Sequence, residues 1–316
     1  MKRREFLALA AAAPFALRAG AADALRGATA LVTCDTEARV AVVDLGSGRV
    51  SRSIPVTPGP RAIERVGSGL ALICHTVTGT VTVLDGRSGE IRHVLEAFPE
   101  PRYAARHSDG VHAFVSDSGD EVVASLDVQR GTVLGRVQLG GWARHLSLSP
   151  DARTLWVGLG NDASRISIVD VSDPRKPRFI RSIAPPFLAH DVGFFPDGRH
   201  VWVTAGETGK TAIYRADGTL VRALPADGGP QHVTFGGHVA YVSSGAAGTF
   251  RVHAHSGAML RETRIPIGSY NVQAGPGGLV LTPSLDRGTL TVVGASGRVV
   301  HEVLVSASSH DACFVF

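Results

Sequence analysis

Three arginines recur at intervals of about 40 residues along the chain, and two histidines continue the same series. The arginines are Arg61, Arg102 and Arg144, and the histidines are His190 and His310. A guanidinium group offers a fork of N–H donors that matches the oxygens of a carboxylate or phosphate. If the fold brings these side chains together, they form a funnel for a small anion. The alternative is that the arginines cap loop carbonyl groups and stay solvated.

A second group of side chains has the chemistry of a metal site. Cys34, His75 and Asp117 end apolar segments in three successive units of the sequence. A thiolate and two imidazoles, from Cys34, His75 and His310, form a soft ligand set that suits zinc or copper. No C-x-x-C pair supports this set, and burial of Cys34 as an ordinary core residue is the alternative. We assign Asp117 to the anion-binding group.

Strands must position these residues, because the surrounding sequence has the period of β structure. In RHLSLSPDARTLWVGLGNDASRISIVDV, residues 144–171, apolar and small residues alternate on either side of Ser149-Pro150-Asp151. The proline fixes φ in the turn and the aspartate caps its backbone, so the chain folds back on itself. The stretch predicts two antiparallel strands followed by a third.

The same pattern occurs seven times in the chain. The second and third strands of the units read ALVTCDTEARVAVVD, ALICHTVTGTVTVLD, AFVSDSGDEVVASLD, LWVGLGNDASRISIVD, VWVTAGETGKTAIYR, AYVSSGAAGTFRVHA and LVLTPSLDRGTLTVVG. Each unit then passes through a glycine-containing turn into a fourth strand. Seven units of four antiparallel strands predict an all-β fold, a seven-bladed β-propeller, over residues 28–316.

The first unit lacks its opening strand, and the missing piece is found at the other end of the sequence. The segment SSHDACFVF, residues 308–316, resembles the strand that opens every other unit. We expect it to pair with residues 29–34 and to close the ring, which removes two exposed sheet edges.

The arginine series falls at the start of each first strand, on the face where each second strand ends. These positions meet at the mouth of the central channel. The residues that follow the series should point to the opposite face, because side chains alternate along a strand; they include Tyr103, His145, Asp191, His232 and Asp311. Neighbours such as His190 and Asp191 should therefore not pair directly. We expect Asp191 and Asp311 to tie one blade to the next by hydrogen bonds.

The units resemble those of the YVTN-type (YncE-like) seven-bladed propellers, whose repeat reads SPDG-x-x-x-YVAN-x-G-x-x-TVSVID-TATGKV. The best matches are Ser149-Pro150-Asp151, Phe195-Pro196-Asp197-Gly198 and Ile168-Val169-Asp170. The resemblance covers residues 28–316 and implies the fold. It does not imply one function, since such propellers serve as binding proteins, cofactor domains and enzymes.

The first 24 residues have the layout of an export signal, with a charged start, a short apolar run and small residues suited to cleavage. Within them, Arg3-Arg4-Glu5-Phe6-Leu7 resembles the twin-arginine signal of proteins that are exported already folded. Lys2 and Ala8 depart from the usual residues of that signal. The segment is too short to span a membrane stably. We expect a periplasmic protein with no stable membrane insertion after cleavage.

The composition limits the classes of partner that the protein is expected to bind. The formal net charge is +4 and the basic residues are dispersed, which argues against nucleic acid as a partner. Three cysteines, Cys34, Cys74 and Cys313, cannot form a disulfide framework, although one bridge among them is open.

Three functions follow from these residues. The first is a binding or accessory protein whose arginine-rich mouth takes a small anionic molecule or a periplasmic partner protein. The second is a lactonase-like hydrolase, since the resemblance extends to propellers that use histidine, arginine and acidic groups on lactone rings; a clear glutamate at the mouth is missing. The third is a metal or haem propeller, since related propellers place such ligands at the channel mouth.

Overall fold

Seven separate antiparallel sheets of four strands each make up the computed structural model, which describes residues 25–67, 69–229 and 231–315. Each sheet is one blade, and six of them are continuous in sequence. This confirms the predicted all-β, seven-bladed β-propeller. The predicted export signal at residues 1–24 lies outside the described residues. Within the described ranges, no helix has the length and apolar character needed to cross a bilayer.

The blades are numbered in chain order. Blades 1 to 3 contain β1 (Thr29–Cys34), β2 (Arg39–Asp44), β3 (Arg49–Pro55); β4 (Pro60–Val66), β5 (Leu70–His75), β6 (Thr80–Asp85), β7 (Ile91–Leu95); and β8 (Pro101–Arg106), β9 (His112–Asp117), β10 (Val122–Asp127), β11 (Thr132–Gln138). Blades 4 and 5 contain β12 (Ala143–Leu148), β13 (Thr154–Leu159), β14 (Ile166–Asp170), β15 (Arg178–Ile183); and β16 (Ala189–Phe194), β17 (His200–Ala205), β18 (Lys210–Arg215), β19 (Leu220–Pro225). Blades 6 and 7 contain β20 (Gln231–Gly236), β21 (Val239–Ser244), β22 (Thr249–Ala254), β23 (Met259–Arg264); and β24 (Gln273–Ala274), the short 3-10 turn Pro276–Gly278, β25 (Val280–Pro283), β26 (Thr289–Val293), β27 (Val299–Leu304). The last strand, β28 (Ala312–Val315), returns to blade 1.

The ring is closed by the end of the chain, as the sequence predicts. β28 pairs antiparallel with β1, with Val315 opposite Thr29 and Ala312 opposite Val32. The backbone N–H of Thr33 extends this pairing by donating to the carbonyl of Asp311 at 2.9 Å. The inner edge of β1 is therefore covered, and blade 1 contains four strands, as each of the other six blades does.

Aspartates at the ends of third strands fix the turns that lead to the fourth strands. Asp44 accepts a hydrogen bond from the backbone N–H of Ser47 at 2.9 Å, and Asp85 accepts one from Ser88 at 3.0 Å. The backbone donor of Ser88 is the main reason why the pKa of Asp85 falls to about 2. The repeated aspartate of the sequence is thus explained by turn chemistry rather than catalysis.

The core lies between blades and not within one blade. In β1, Val32 packs in a cluster with Leu281 of blade 7, whereas Leu31 packs with Ile63 of blade 2. Both faces of an inner strand are buried because a blade lies on each side. The fourth strands, at the rim, are mostly exposed.

The cysteines belong to this core. Cys34, Cys74 and Cys313 are buried in three different clusters, and each is a free thiol. None of them forms the disulfide that the sequence left open, and all three lie in the described residues.

Buried aspartates connect neighbouring blades. Asp191 Oδ2 in blade 5 accepts the backbone N–H of Val233 in blade 6 at 3.0 Å. Asp311, next to β28, accepts the N–H of Ile63 in blade 2 at 2.9 Å. The predicted role of these two aspartates is confirmed.

The first strands do not alternate as expected at their beginnings. Ala143 lies opposite Leu159, but Leu146 lies opposite Val157, so three steps on β12 match two on β13. The same shift occurs at the start of β4, β8 and β16. Each is a β-bulge, which adds one residue and re-aims the side chains beside it. The prediction that the arginine series and the residues after it point to opposite faces is therefore wrong for these blades.

Candidate functional site

The three arginines begin the first strands of blades 2, 3 and 4, on the face where the second strands end. Pro60, before Arg61, lies opposite His75, and Pro101, before Arg102, lies opposite Asp117. Burial lowers the pKa of Arg102, and the positive charges of Arg144 and Arg61 lower it further. The three guanidinium groups are thus close enough to repel one another. We call Arg61, Arg102 and Arg144 the basic mouth.

Two of these arginines are buried, unlike the solvated side chains of the alternative interpretation. Arg102 is 8% exposed and Arg144 is 6% exposed. Burial is the main cause that lowers the pKa of Arg144, and the charge of Arg61 adds to it. Within the described residues, the buried Nε atoms of Arg144 and Arg61 have no hydrogen-bond partner. Buried donors without an acceptor are costly, so they are ready to receive one from a ligand.

Two residues of the mouth were not found by sequence analysis. Glu100 forms an ion pair with Arg102 and accepts a hydrogen bond from Trp142 Nε1 at 3.1 Å. The guanidinium carbons of Arg102 and Arg144 lie 4.5 and 5.5 Å from the centre of the Trp142 ring. Such contacts hold cations over an aromatic face. Glu100 and Trp142 each lie two positions before an arginine of the series, and this spacing is visible in the sequence.

The other predicted anion ligands take different positions. Asp117 is fully buried; its Oδ1 accepts the backbone N–H groups of Glu100 and Gly119, at 3.1 and 2.8 Å. It therefore holds the loop that carries Glu100, although burial raises its pKa. His310 lies between blades, with Nδ1 3.1 Å from the carbonyl oxygen of Arg61. Its hydrogen bond supports the backbone of the mouth.

The predicted metal ligands Cys34, His75 and His310 are not brought together. His75 Nε2 is engaged with Thr82 Oγ1 at 2.9 Å, and burial lowers the pKa of this histidine to about 4. Cys34 Sγ lies 3.8 Å from the carbonyl of Val32. Within the described residues, the three are not among the sets whose ligating atoms lie within 4.8 Å of one another.

His190 instead meets two histidines from the series that was expected to point elsewhere. Its Nε2 lies 3.2 Å from Nε2 of His232, and its ring centre is 4.6 Å from that of His145. Burial lowers the pKa of His190 to about 4 and holds the pKa of the other two well below the usual range. All three rings are therefore neutral at neutral pH.

A cavity of about 830 Å³ reaches two of these histidines, His145 and His232, and continues to the turns between first and second strands. Its lining includes Glu64, Tyr103, His145, Asp191, His232 and Asp311. Burial raises the pKa of Glu64 and Asp191 to about 7 and that of Asp311 to about 8. The cavity thus carries protonatable carboxyl groups, whereas the three arginines of the basic mouth are not among its lining residues.

Fold and site together define a seven-bladed β-propeller with a buried arginine cluster at one end of its channel. No protein-family model matches the chain. A curated relative, the seven-bladed beta-propeller protein Rv1057 of Mycobacterium tuberculosis, is 29% identical over 143 residues, which are 43% of this chain. The match spans only 36% of that relative's own length.

Solved structures show the same fold at low sequence identity. A provisionally named 6-phosphogluconolactonase from Bacteroides uniformis superposes with a TM-score of 0.75 at 17% identity, covering 91% of this chain and 99% of that one. Hydrazine synthase of Kuenenia stuttgartiensis superposes with a TM-score of 0.73 at 16% identity, covering 87% and 94%. At these identities the likeness shows the fold alone.

Proposed function

We propose that the protein binds a small anionic ligand, a carboxylate or phosphate compound, at the basic mouth. The supporting observation is an excess of positive charge at the partly buried basic mouth. Among the described residues, Glu100 forms an ion pair with Arg102, whereas Arg61 and Arg144 form none. Holding like charges together costs free energy that a bound anion would offset.

The unsatisfied donors indicate where the anion would lie. Arg144 presents a buried Nε without a partner, and Trp142 holds its guanidinium from one side. A planar carboxylate or a phosphate accepts two parallel N–H bonds from one guanidinium. We therefore place the ligand between Arg144 and Arg61, with Arg102 already neutralised in part by Glu100.

Thermal shift and calorimetry on chelator-treated protein test this proposal, with a panel of mono- and dicarboxylates, phosphates and lactones. Arg61→Gln, Arg102→Gln and Arg144→Gln should each weaken binding by about 1.5–3 kcal/mol, the range of a charge-assisted hydrogen bond. Arg222→Gln is the control, because this arginine is exposed on β19 and donates to Ser256 instead. If no anion stabilises the parent, or if all four variants respond as it does, the mouth is not a binding site.

We place the protein in the periplasm, after export as a folded chain. The support is the twin-arginine pattern of residues 3–7. A ligand bound before transport would travel with the folded protein. A periplasmic partner protein is the alternative occupant of the mouth, and the same arginine variants would then weaken its binding.

Lactone hydrolysis is a second candidate. The mouth does carry a glutamate, Glu100, which sequence analysis did not find, and it lies beside Arg102. A carboxylate next to arginines can activate water while the arginines stabilise the charge that develops on the lactone oxygen. Acid release from phosphorylated and unphosphorylated sugar lactones, compared between the parent and Glu100→Gln, tests it. Equal rates in the two proteins would exclude Glu100 as the base.

A further inference from the structure

Three buried histidines from consecutive blades meet beside the basic mouth. They are His145 next to the start of β12, His190 in β16 and His232 in β20, and they are 2%, 5% and 6% exposed. Each can offer one ring nitrogen, and the three nitrogens lie within 4.8 Å of one another. We propose that His145, His190 and His232 bind one divalent transition-metal ion, with Zn²⁺ and Cu²⁺ as the ions that suit three imidazoles.

The closest pair already has the spacing of two metal ligands. His190 Nε2 and His232 Nε2 lie 3.2 Å apart. A tetrahedral zinc ion with bonds of about 2.05 Å holds its ligand atoms about 3.3 Å apart. An ion therefore needs little movement of these two rings.

The orientation of His190 is fixed by a bond on its far side. Its Nδ1 lies 2.9 Å from the backbone carbonyl oxygen of Asn161. A carbonyl only accepts, so Nδ1 carries the proton and donates it. In the neutral ring Nε2 is then left with its lone pair, and that lone pair faces the cluster. This is the arrangement in which proteins hold a metal-binding histidine.

His232 has an acidic group behind it. Its Nδ1 lies 3.6 Å from Asp191 Oδ2, which the backbone N–H of Val233 holds in place at 3.0 Å. When Nε2 binds an ion, Nδ1 carries the proton and points to this carboxyl group. A carboxylate behind a ligating imidazole strengthens the ligand.

His145 supplies an independent observation. Within the described residues, neither of its buried ring nitrogens makes a well-formed hydrogen bond. The ring stacks on Tyr103, with centres 4.2 Å apart, and lies 4.7 Å from the ring centre of His232. A buried polar group without a partner is costly, and a metal ion would satisfy it.

Two other groups of histidine and aspartate lie close together in the described residues, but within each group the histidine already has an aspartate as its hydrogen-bond partner. His112 Nδ1 is 2.6 Å from Asp109 Oδ2, and His200 Nδ1 is 2.7 Å from Asp197 Oδ2. Their imidazoles are engaged with carboxylates in surface turns, whereas in the described structure the ring nitrogens of His145 have no carboxylate partner.

Three protein ligands leave a coordination position for a small molecule. The cavity is lined by His145 and His232, so a ligand can approach from that side. Arg144 directly precedes His145 and carries a positive charge that opposes a cation here. We expect an anionic fourth ligand, hydroxide or a carboxylate, to compensate. The inference goes beyond the proposed function, because metal binding by the three histidines does not require an anion at the basic mouth.

The test is metal binding to the full chelator-treated chain in a buffer without carboxylate or phosphate. Equilibrium dialysis against Zn²⁺ and, separately, Cu²⁺ should give about one ion per chain. His145→Gln, His190→Gln and His232→Gln should each weaken binding by more than about 100-fold, since loss of a supporting residue alone costs 10–100-fold. His253→Gln is the matched control, a buried histidine of β22 whose Nδ1 donates to Gly257 at 3.1 Å. Near-ultraviolet circular dichroism checks the fold of each variant.

X-ray absorption of the zinc-loaded parent decides the matter even if a variant does not fold. Three imidazole ligands and no sulfur support the proposal. A sulfur ligand would assign the ion to one of the three cysteines and overturn the proposal, as would no bound ion or equal binding in all four variants. Anion binding without metal shows that only this inference fails, whereas metal binding without an anion response shows that only the proposed function fails.

Discussion

Asp311 Oδ2 accepts the backbone N–H of Ile63, 248 positions earlier in the chain, at 2.9 Å. Its Oδ1 accepts the N–H of Ala312 at 2.8 Å. One side chain thus connects the start of the closing strand to blade 2, across the place where the ring is sealed. Asp191 repeats the arrangement between blades 5 and 6.

Asp311→Ala leaves two buried N–H donors without an acceptor. We expect it to lower the free energy of unfolding by about 1–3 kcal/mol. Denaturant titration measures this, and Glu207→Ala on the surface is the control. Asp191→Ala should behave like Asp311→Ala. If Asp311→Ala costs no more than the control, the hydrogen bond does not hold the ring closed.

Truncation after Ala307 removes β28 and exposes the edge of β1. The loss should be cooperative, because β1 packs on both blade 2 and blade 7. A lower melting temperature together with aggregation is the expected result. A truncated chain that melts as the parent does would show that the ring is stable without its last strand.

The contribution of Glu64 to stability should be lost as the pH rises from about 4.5 to about 7. A buried carboxyl whose pKa is raised stabilises the fold fully below its unfolded pKa, and this contribution is lost as the pH approaches the folded pKa. Glu64 titrates at about 7 in the fold against 4.5 unfolded. Glu64→Gln keeps a partner for Gln273, 2.9 Å away, and should remove this loss, which changes the slope of stability against pH by up to one proton between pH 4.5 and 7 and favours the variant at higher pH. Urea titrations at several pH values measure the slope, with exposed Glu96→Gln as the control for charge. An unchanged slope would place the titration elsewhere.

Replacing Arg3-Arg4 by Lys-Lys should keep the protein in the cytoplasm, because the twin-arginine receptor reads the guanidinium pair and not charge alone. Fractionation and immunoblotting of the mature form measure export. Lys2→Ser, which restores a usual residue of the signal, should leave export intact. Periplasmic Lys-Lys protein would indicate the general secretory route.

The sequence was sufficient for the fold because its information is periodic. Alternating apolar residues, turn aspartates and seven copies leave one closed arrangement, and the unpaired segment at residues 308–316 identifies the closing strand. The blade-to-blade role of Asp191 and Asp311 also followed, since an aspartate on a buried strand needs a donor nearby.

The site was only partly predictable. The arginine positions came from alignment of the repeats, but their burial did not, because it depends on Trp142 and Glu100 in the preceding loops. The histidine cluster was missed because strict alternation separates His190 from His145, whereas the bulges bring them together. A bulge leaves no residue signature strong enough to detect in one sequence.

The last strand also sets an order of events during synthesis. Thr33 cannot receive its partner at Asp311 until the ribosome has made 278 further residues. Blade 1 must wait with an open edge while six blades form beside it, so joining the two ends is a late event governed by long-range contacts. Chaperones that protect the unfinished chain until the ring closes would therefore bind the open edge of blade 1. An export route that accepts only folded proteins would then transport only chains whose ring has closed.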